Sequence, residues 1–155
     1  MVEGYILREM EKEDINRILE IERESFRLPW SRALFLDEFT RDYSHTYVVC
    51  DREKGEVQGF IIFWVLFDEC HILNISVAKA MRRRGLGEKL MQRCEKIANN
   101  KGASYLYLEV REGNQPAINL YGKLGFRFVG LRRGYYTDTG EDGWVMIKNV
   151  KKKDK

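Results

Sequence analysis

Three short stretches of this chain hold residue types that could do chemistry. The first is Arg82-Arg83-Arg84-Gly85-Leu86-Gly87, which lies between an apolar run ending at Val77 and a helical pattern beginning near Leu86. A turn from a buried strand into a helix aims free N–H groups and the positive end of the helix dipole at one point. Glycine lets the backbone come close there, and arginine adds charge. In physical terms this is a cradle for a pyrophosphate. The segment lacks the Lys-Ser/Thr ending of a P-loop, and Leu90 stands where a dinucleotide fingerprint needs a third glycine. A basic helix start that meets only water is the plainer alternative.

The second stretch is Leu106-Tyr107-Leu108-Glu109-Val110-Arg111. Strand alternation puts Tyr107, Glu109 and Arg111 on one face, opposite Leu106, Leu108 and Val110. A carboxylate in so apolar a strand is costly unless it is paired or used. Partial burial would also raise its pKa toward the range of a general base. The competing reading is a salt bridge to a neighbouring arginine. The third stretch runs from Asn114 to Phe126 and predicts a short amphipathic helix with Tyr121 at the edge of its apolar face. That tyrosine is either a proton donor or a packing residue with a wet hydroxyl.

These stretches need elements to hold them. Tyr5–Arg8 reads as a first strand. Glu13–Phe26 is an amphipathic helix, with Ile15, Ile18, Leu19, Glu22 and Phe26 at helical spacing. Leu28-Pro29-Trp30 interrupts it, and Ser31 can cap a second helix through Phe39. Strands follow at Thr46–Asp51, Val57–Leu66 and Cys70–Val77, the first two joined by the turn Glu53-Lys54-Gly55-Glu56. A helix opening at Gly85 and Gly87 runs to about Lys101 and stops at Gly102. Tyr105–Arg111 is a strand. Pro116 starts the short helix that Gly125 ends, and Phe126–Leu131 and Gly143–Lys148 form a closing antiparallel pair. The order predicts an α/β (α+β) fold with a mixed sheet of seven strands and helices on both faces.

The 155 residues suit one domain over residues 1–150, with 151–155 a solvated basic tail. A domain of this size hides roughly 70% of the surface of its unfolded chain, enough for a true core. Lys and Arg total 27 against 24 Asp and Glu; a net charge of +3 gives no argument for nucleic acid. Three cysteines without Cys-x-x-Cys spacing and only two histidines argue against a metal site and point to buried thiols in a reducing cytoplasm. No signal-peptide pattern opens the chain, and the longest apolar run, Phe60–Phe67, is too short to span a bilayer, so a membrane is not an expected partner.

The three stretches, in this order, resemble the GNAT superfamily of N-acetyltransferases. The Arg/Gln-x-x-Gly-x-Gly/Ala signature matches Arg82–Gly87. Asn74-Ile75-Ser76-Val77, Tyr107–Arg111, Asn114, Ala117-Ile118, Leu120-Tyr121, Gly125-Phe126 and Gly134-Tyr135-Tyr136 with Glu141-Asp142 are similar to the protein N-terminal acetyltransferases. Among these, the chain is similar to the ribosomal-protein-alanine (RimI-type) enzymes and to the archaeal relatives of the eukaryotic catalytic subunits. The resemblance covers nearly the whole chain and implies the GNAT fold.

It also implies acetyl-CoA as cosubstrate, no metal, and a gap between two splayed parallel strands as its seat. Ile75, Ser76 and Val77 would offer backbone groups to the pantetheine arm and the acetyl carbonyl. Arg83, Arg84, Gly85, Leu86, Gly87 and Glu88 would hold the pyrophosphate, and Asn114 the arm further along. Glu109 matches the general base and Tyr121 the general acid. Pro29, Trp30, His71, Tyr135 and Tyr136 would line the acceptor site. Some archaeal relatives carry a catalytic glutamate where this chain has Trp30, so a second acidic base from that loop is not expected here. The implied activity is acetylation of the free α-amine of a protein, ribosomal proteins included, by a cytoplasmic monomer or weak dimer. Alternatives are a GNAT enzyme acting on a small amine or on protein lysine, and a non-catalytic CoA-binding module.

Overall fold

The computed structural model describes residues 4–150. Seven strands form one sheet: β1 (Tyr5–Glu9), β2 (Ser44–Asp51), β3 (Val57–Leu66), β4 (Glu69–Val77), β5 (Tyr105–Arg111), β6 (Arg127–Tyr136) and β7 (Glu141–Asn149). Their spatial order is β1-β2-β3-β4-β5-β7-β6. Every neighbouring pair is antiparallel except β4 with β5, which is parallel. That connection carries a helix, as a parallel crossover must.

The helices are α1 (Ile15–Ser25), α2 (Arg32–Glu38), α3 (Leu86–Asn100) and α4 (Gln115–Lys123). The first two cover one face, where Ile15, Ile18, Ile21 and Phe35 bury against Val48, Phe60 and Ile62. The other two cover the opposite face, where Leu86, Leu90, Cys94 and Ile118 meet Val49, Ile61, Phe63 and Leu106. Adjacent residues of β3 therefore feed different cores, which is why Phe60–Phe63 is continuously apolar and fully buried.

Several expected boundaries move. The first helix is preceded by a 3-10 turn at Lys12–Asp14 and ends at Ser25; Phe26 is already extended and half-exposed. The second helix ends at Glu38, with Ser31 accepting from the Leu34 N–H as its cap. A 3-10 turn at Lys79–Met81 intervenes between β4 and the arginine run, so the strand does not lead straight into α3. Gly85 stands outside α3 as its cap. The closing strands are longer than Phe126–Leu131 and Gly143–Lys148. Bulges at Phe128/Gly130 and between Arg132 and Tyr136 absorb the irregularity that hid their length from the alternation pattern. Among the described residues, no helix is long and apolar enough to cross a membrane.

Candidate active site

The parallel ladder between β4 and β5 has only three rungs, Glu69↔Tyr105, Cys70↔Leu106 and His71↔Tyr107. Beyond them β4 continues to Val77 and β5 to Arg111. On its other edge β4 stays paired with β3 as far as Gly59↔Val77. A strand bonded on one edge alone presents alternate N–H and C=O groups on the other. Ile75, Ser76 and Val77 lie in this one-sided segment. A register shift opposite Ile62/Phe63 leaves Leu73 as the extra residue of a bulge, directly before Asn74. The Ser76 Oγ is engaged by Ser25 Oγ on α1.

After Val77 the chain turns into the start of α3. Gly85 has φ +82°, a left-handed conformation that glycine adopts without strain. Arg83 takes a left-handed φ of +65° as well. Gly85 has no side chain to cap with, so the N–H groups of Leu86, Gly87 and Glu88 have no intrahelical acceptor; the Gly85 carbonyl receives the Lys89 N–H at 3.1 Å. A Cβ on Gly87 would meet nothing nearer than Leu120 at 3.8 Å. The three arginines divide in role. Arg82 is exposed but folds back on the chain, donating to the Val77 carbonyl at 3.2 Å and to Ser25 Oγ at 3.0 Å. Arg83 and Arg84 are exposed. The result is a free-donor helix end flanked by positive charge, which suits a pyrophosphate.

Glu109 lies two residues past the last parallel rung, on the face it shares with Tyr107 and Arg111. Its carboxylate accepts from Arg132 Nη1 of β6 at 3.0 Å, an ion pair that reaches across β7. The salt-bridge reading of Glu109 is thus a fact of the structure, and the base reading has to accommodate it. Tyr121 is buried on α4 and packs its ring on Phe126 at 5.8 Å. Burial pushes its hydroxyl up to about 12. No buried side-chain oxygen among the described residues is enclosed without a partner.

Tyr136 is half-buried, and burial together with the charges of Glu109 and Tyr135 pushes it up to about 12. Its ring carries the Arg111 guanidinium at 4.2 Å, and Tyr135 carries that of Arg132 at 4.8 Å. Gly143 makes room for Tyr135, whose Cδ2 would stand 3.2 Å from a Cβ there. Arg111 also holds Asp138 through two bonds of 2.8 and 2.9 Å, tying the β6–β7 turn to the end of β5. Glu141 and Asp142 accept from the Gly113 and Gly134 N–H groups, so their work is to shape this hairpin.

His71 sits on the last rung, stacked on Tyr107 at 4.4 Å, with Nε2 3.4 Å from Glu69. Pro29 is exposed, and the Trp30 indole packs on Phe35 at 5.2 Å. Asn114 spends its side chain on the Ala117 N–H as the cap of α4, at 3.3 Å. Cys50, Cys70 and Cys94 are buried free thiols. Among the described residues no group of His, Cys, Asp or Glu is placed to hold a metal ion. Two residues escaped the sequence reading. Arg132 lies past the expected end of its strand, and Glu22 looked like one more position on an apolar helix face.

Comparison with known proteins gives a consistent picture. The acetyltransferase (GNAT) family profile matches residues 15–126. A Bacillus subtilis protein, a candidate ribosomal protein bS18-alanine N-acetyltransferase, is 38% identical over 141 residues, covering 90% of this chain and 92% of its own length. An N-alpha-acetyltransferase of Sulfurisphaera tokodaii is 35% identical over 155 residues, covering 92% and 91%. The crystal structure of the ribosomal-protein-S18-alanine N-acetyltransferase from Escherichia coli superposes with a TM-score of 0.86 at 29% identity, covering 97% of both chains. With the splayed sheet, the glycine-arginine turn and this match over most of its length, the chain belongs to the GNAT family of acetyltransferases.

Proposed function

We propose that the protein transfers an acetyl group from acetyl-CoA to the free α-amine of a protein N-terminus. The observation that carries this is the opening of the sheet after His71↔Tyr107, with Glu109 on one lip and the unpaired edge of Ile75–Val77 on the other. The names of the relatives in Bacillus, Sulfurisphaera and Escherichia support a protein acceptor, ribosomal proteins among them. The free N–H groups of Leu86, Gly87 and Glu88, with Arg83 and Arg84, fit the pyrophosphate of CoA, and the exposed edge of Ile75–Val77 fits the amides of its pantetheine arm. Asn114, at the cap of α4, would meet that arm further along.

In this reading the amine nitrogen attacks the thioester carbonyl, a C–N bond forms and the C–S bond breaks. Glu109 takes the proton from the nitrogen, directly or through a water. A backbone N–H of Ile75–Val77 stabilises the oxyanion. Tyr121, pushed up to about 12, keeps its proton through the neutral range and donates toward the sulfur as charge develops there. Pro29 and Trp30 wall one side of the acceptor groove, Tyr135 and Tyr136 the other, with His71 at its floor.

The 3.0 Å contact from Arg132 favours a second reading, in which Glu109 is structural and another group is the base. Release of free CoA thiol, followed with an N-terminal peptide, a polyamine and an aminoglycoside, tests the assignment. Turnover with the peptide supports it. Turnover with the small amines alone, or none with any acceptor, overturns it.

A further inference from the structure

Glu22 is the most deeply buried acid among the described residues, with 1% of its surface exposed. It lies on α1 among Ile18, Leu19 and Ile21, and no cation of the described residues pairs with it. A leucine or methionine would pack on that face without the cost of dehydrating a carboxylate. What the acid gains is two directed bonds. Oε2 accepts the Trp30 backbone N–H at 2.8 Å, and Oε1 accepts the Asn74 Nδ2 at 2.9 Å. Trp30 ends the loop between α1 and α2. Asn74 follows the Leu73 bulge, in the part of β4 that has lost its pairing with β5.

One side chain therefore spans the loop on one side and the lip of the opened sheet on the other. The remaining bonds of this helix end run elsewhere. Ser25 meets Ser76 on the open segment of β4 and Arg82 in the turn before α3, and Glu24 accepts the Lys79 N–H of that turn at 2.7 Å. Of the described residues of this helix end, Glu22 is the one whose side chain hydrogen-bonds to the loop of Leu28-Pro29-Trp30.

We propose that Glu22 is the positioning residue of the acceptor site: by clamping the Trp30 backbone to Asn74, it fixes the loop wall relative to the acetyl-transfer gap and so sets affinity for the peptide. What the loop binds rests on the function proposed above; the clamp itself does not.

The test exchanges the polarity of the clamp. Glu22→Leu fills the same space and removes both bonds. In Asn74→Asp two carboxylates face each other. The double variant, Glu22→Gln with Asn74→Asp, restores one donor to one acceptor, since the carboxylate introduced on β4 can accept from the new amide on α1. Each single change is expected to raise the peptide KM about tenfold, the size of losing a hydrogen bond to a charged group, with the acetyl-CoA KM moving less than about twofold. The double variant returns the peptide KM toward wild type. A role in folding alone would lower thermal stability without this split or its rescue.

Trypsin cleavage after the exposed Arg27 reports on the loop without any acceptor. It is expected to quicken in each single variant and slow again in the double. If wild type acetylates no peptide N-terminus, the proposed function falls while the cleavage rates still decide the clamp. Wild-type peptide KM and cleavage in Glu22→Leu, or a double variant no better than Asn74→Asp alone, overturn the proposal. Should a single variant fail to fold, the double decides: wild-type behaviour supports the clamp, and a raised KM with rapid cleavage refutes it.

Discussion

Arg132 holds the Glu109 carboxylate at 3.0 Å from across β7, so the acid best placed beside the open sheet is ion-paired in the free protein. The two ends differ in exposure. The arginine side chain is 51% exposed and the glutamate 19%. An exposed guanidinium on a long stem is readily displaced, and an incoming ammonium can take its place beside the carboxylate before losing a proton. The pair thus suits a site that receives a cation and must deprotonate it.

That relationship separates the two readings of Glu109. Glu109→Gln is expected to lower kcat by roughly 10²–10⁴-fold. Arg132→Gln leaves the carboxylate in place and is expected to retain most of the rate. Equal losses in both variants would make the pair structural. Near wild-type kcat in Glu109→Gln would point to another base, with His71 the first to test.

Tyr121→Phe removes a hydroxyl and little else. Turnover is expected to fall while acetyl-CoA affinity holds, measured by steady-state kinetics and calorimetry. The same residue has a pH signature in stability. Its hydroxyl is pushed from an ordinary value near 10 up to about 12 by burial. Its contribution is therefore complete below pH 10 and is lost between about pH 10 and 12, where the unfolded chain ionises and the fold does not. The loss amounts to about 2–3 kcal/mol. Urea unfolding across this range is expected to be flatter in Tyr121→Phe by that amount. Wild-type turnover in the variant would make Tyr121 a packing residue.

At the turn before α3, Gly85 and Gly87 have different physical reasons to be glycine. Gly85 is left-handed, and Gly85→Asp adds both strain and a carboxylate at a helix end built for anions. Acetyl-CoA binding is expected to weaken strongly by calorimetry. Gly87 has ordinary helical backbone and free space beside it, so Gly87→Ala is expected to fold as well as wild type. Unchanged acetyl-CoA affinity in Gly85→Asp would refute the cradle.

Most of this architecture was legible in the sequence because period-two and period-3.6 patterns dominate it. Val57–Leu66 and Tyr105–Arg111 were bounded correctly, their apolar runs being bracketed by turn residues. The alternation that placed Glu109 opposite Leu108 and Val110 holds. What remained hidden depends on contacts between distant segments. Alternation in β6 breaks at its bulges, so Arg132 fell outside the expected strand and the partner of Glu109 went unnamed. Glu22 fits a helical stripe by spacing alone, and only the fold brings Trp30 and Asn74 to it. The role expected of Asn114 meets a local competitor, since its side chain caps α4.

Tyr136, which the proposed function places in the acceptor wall, carries the Arg111 guanidinium on its ring and feels the charge of Glu109. Tyr136→Ala is expected to raise the peptide KM well before it affects acetyl-CoA binding. Parallel titrations of the two substrates check this. A rise in the acetyl-CoA KM alone would move Tyr136 out of the acceptor groove.

The central claim is that the acceptor is a chain end. An unperturbed α-amine has a pKa about 2.5 below that of lysine, so its neutral fraction near pH 7 is roughly 300 times larger. One carboxylate base is then enough for an N-terminus. A groove walled by the Pro29–Trp30 loop and by Tyr135 and Tyr136 would also exclude a lysine flanked by chain on both sides. Mass spectrometry of a lysine-containing peptide, with its N-terminus free or blocked, tests this directly. Acetylation of the free peptide at its α-amine, with little on the blocked one, is the expected result; equal modification of both would contradict it and favour a lysine acetyltransferase.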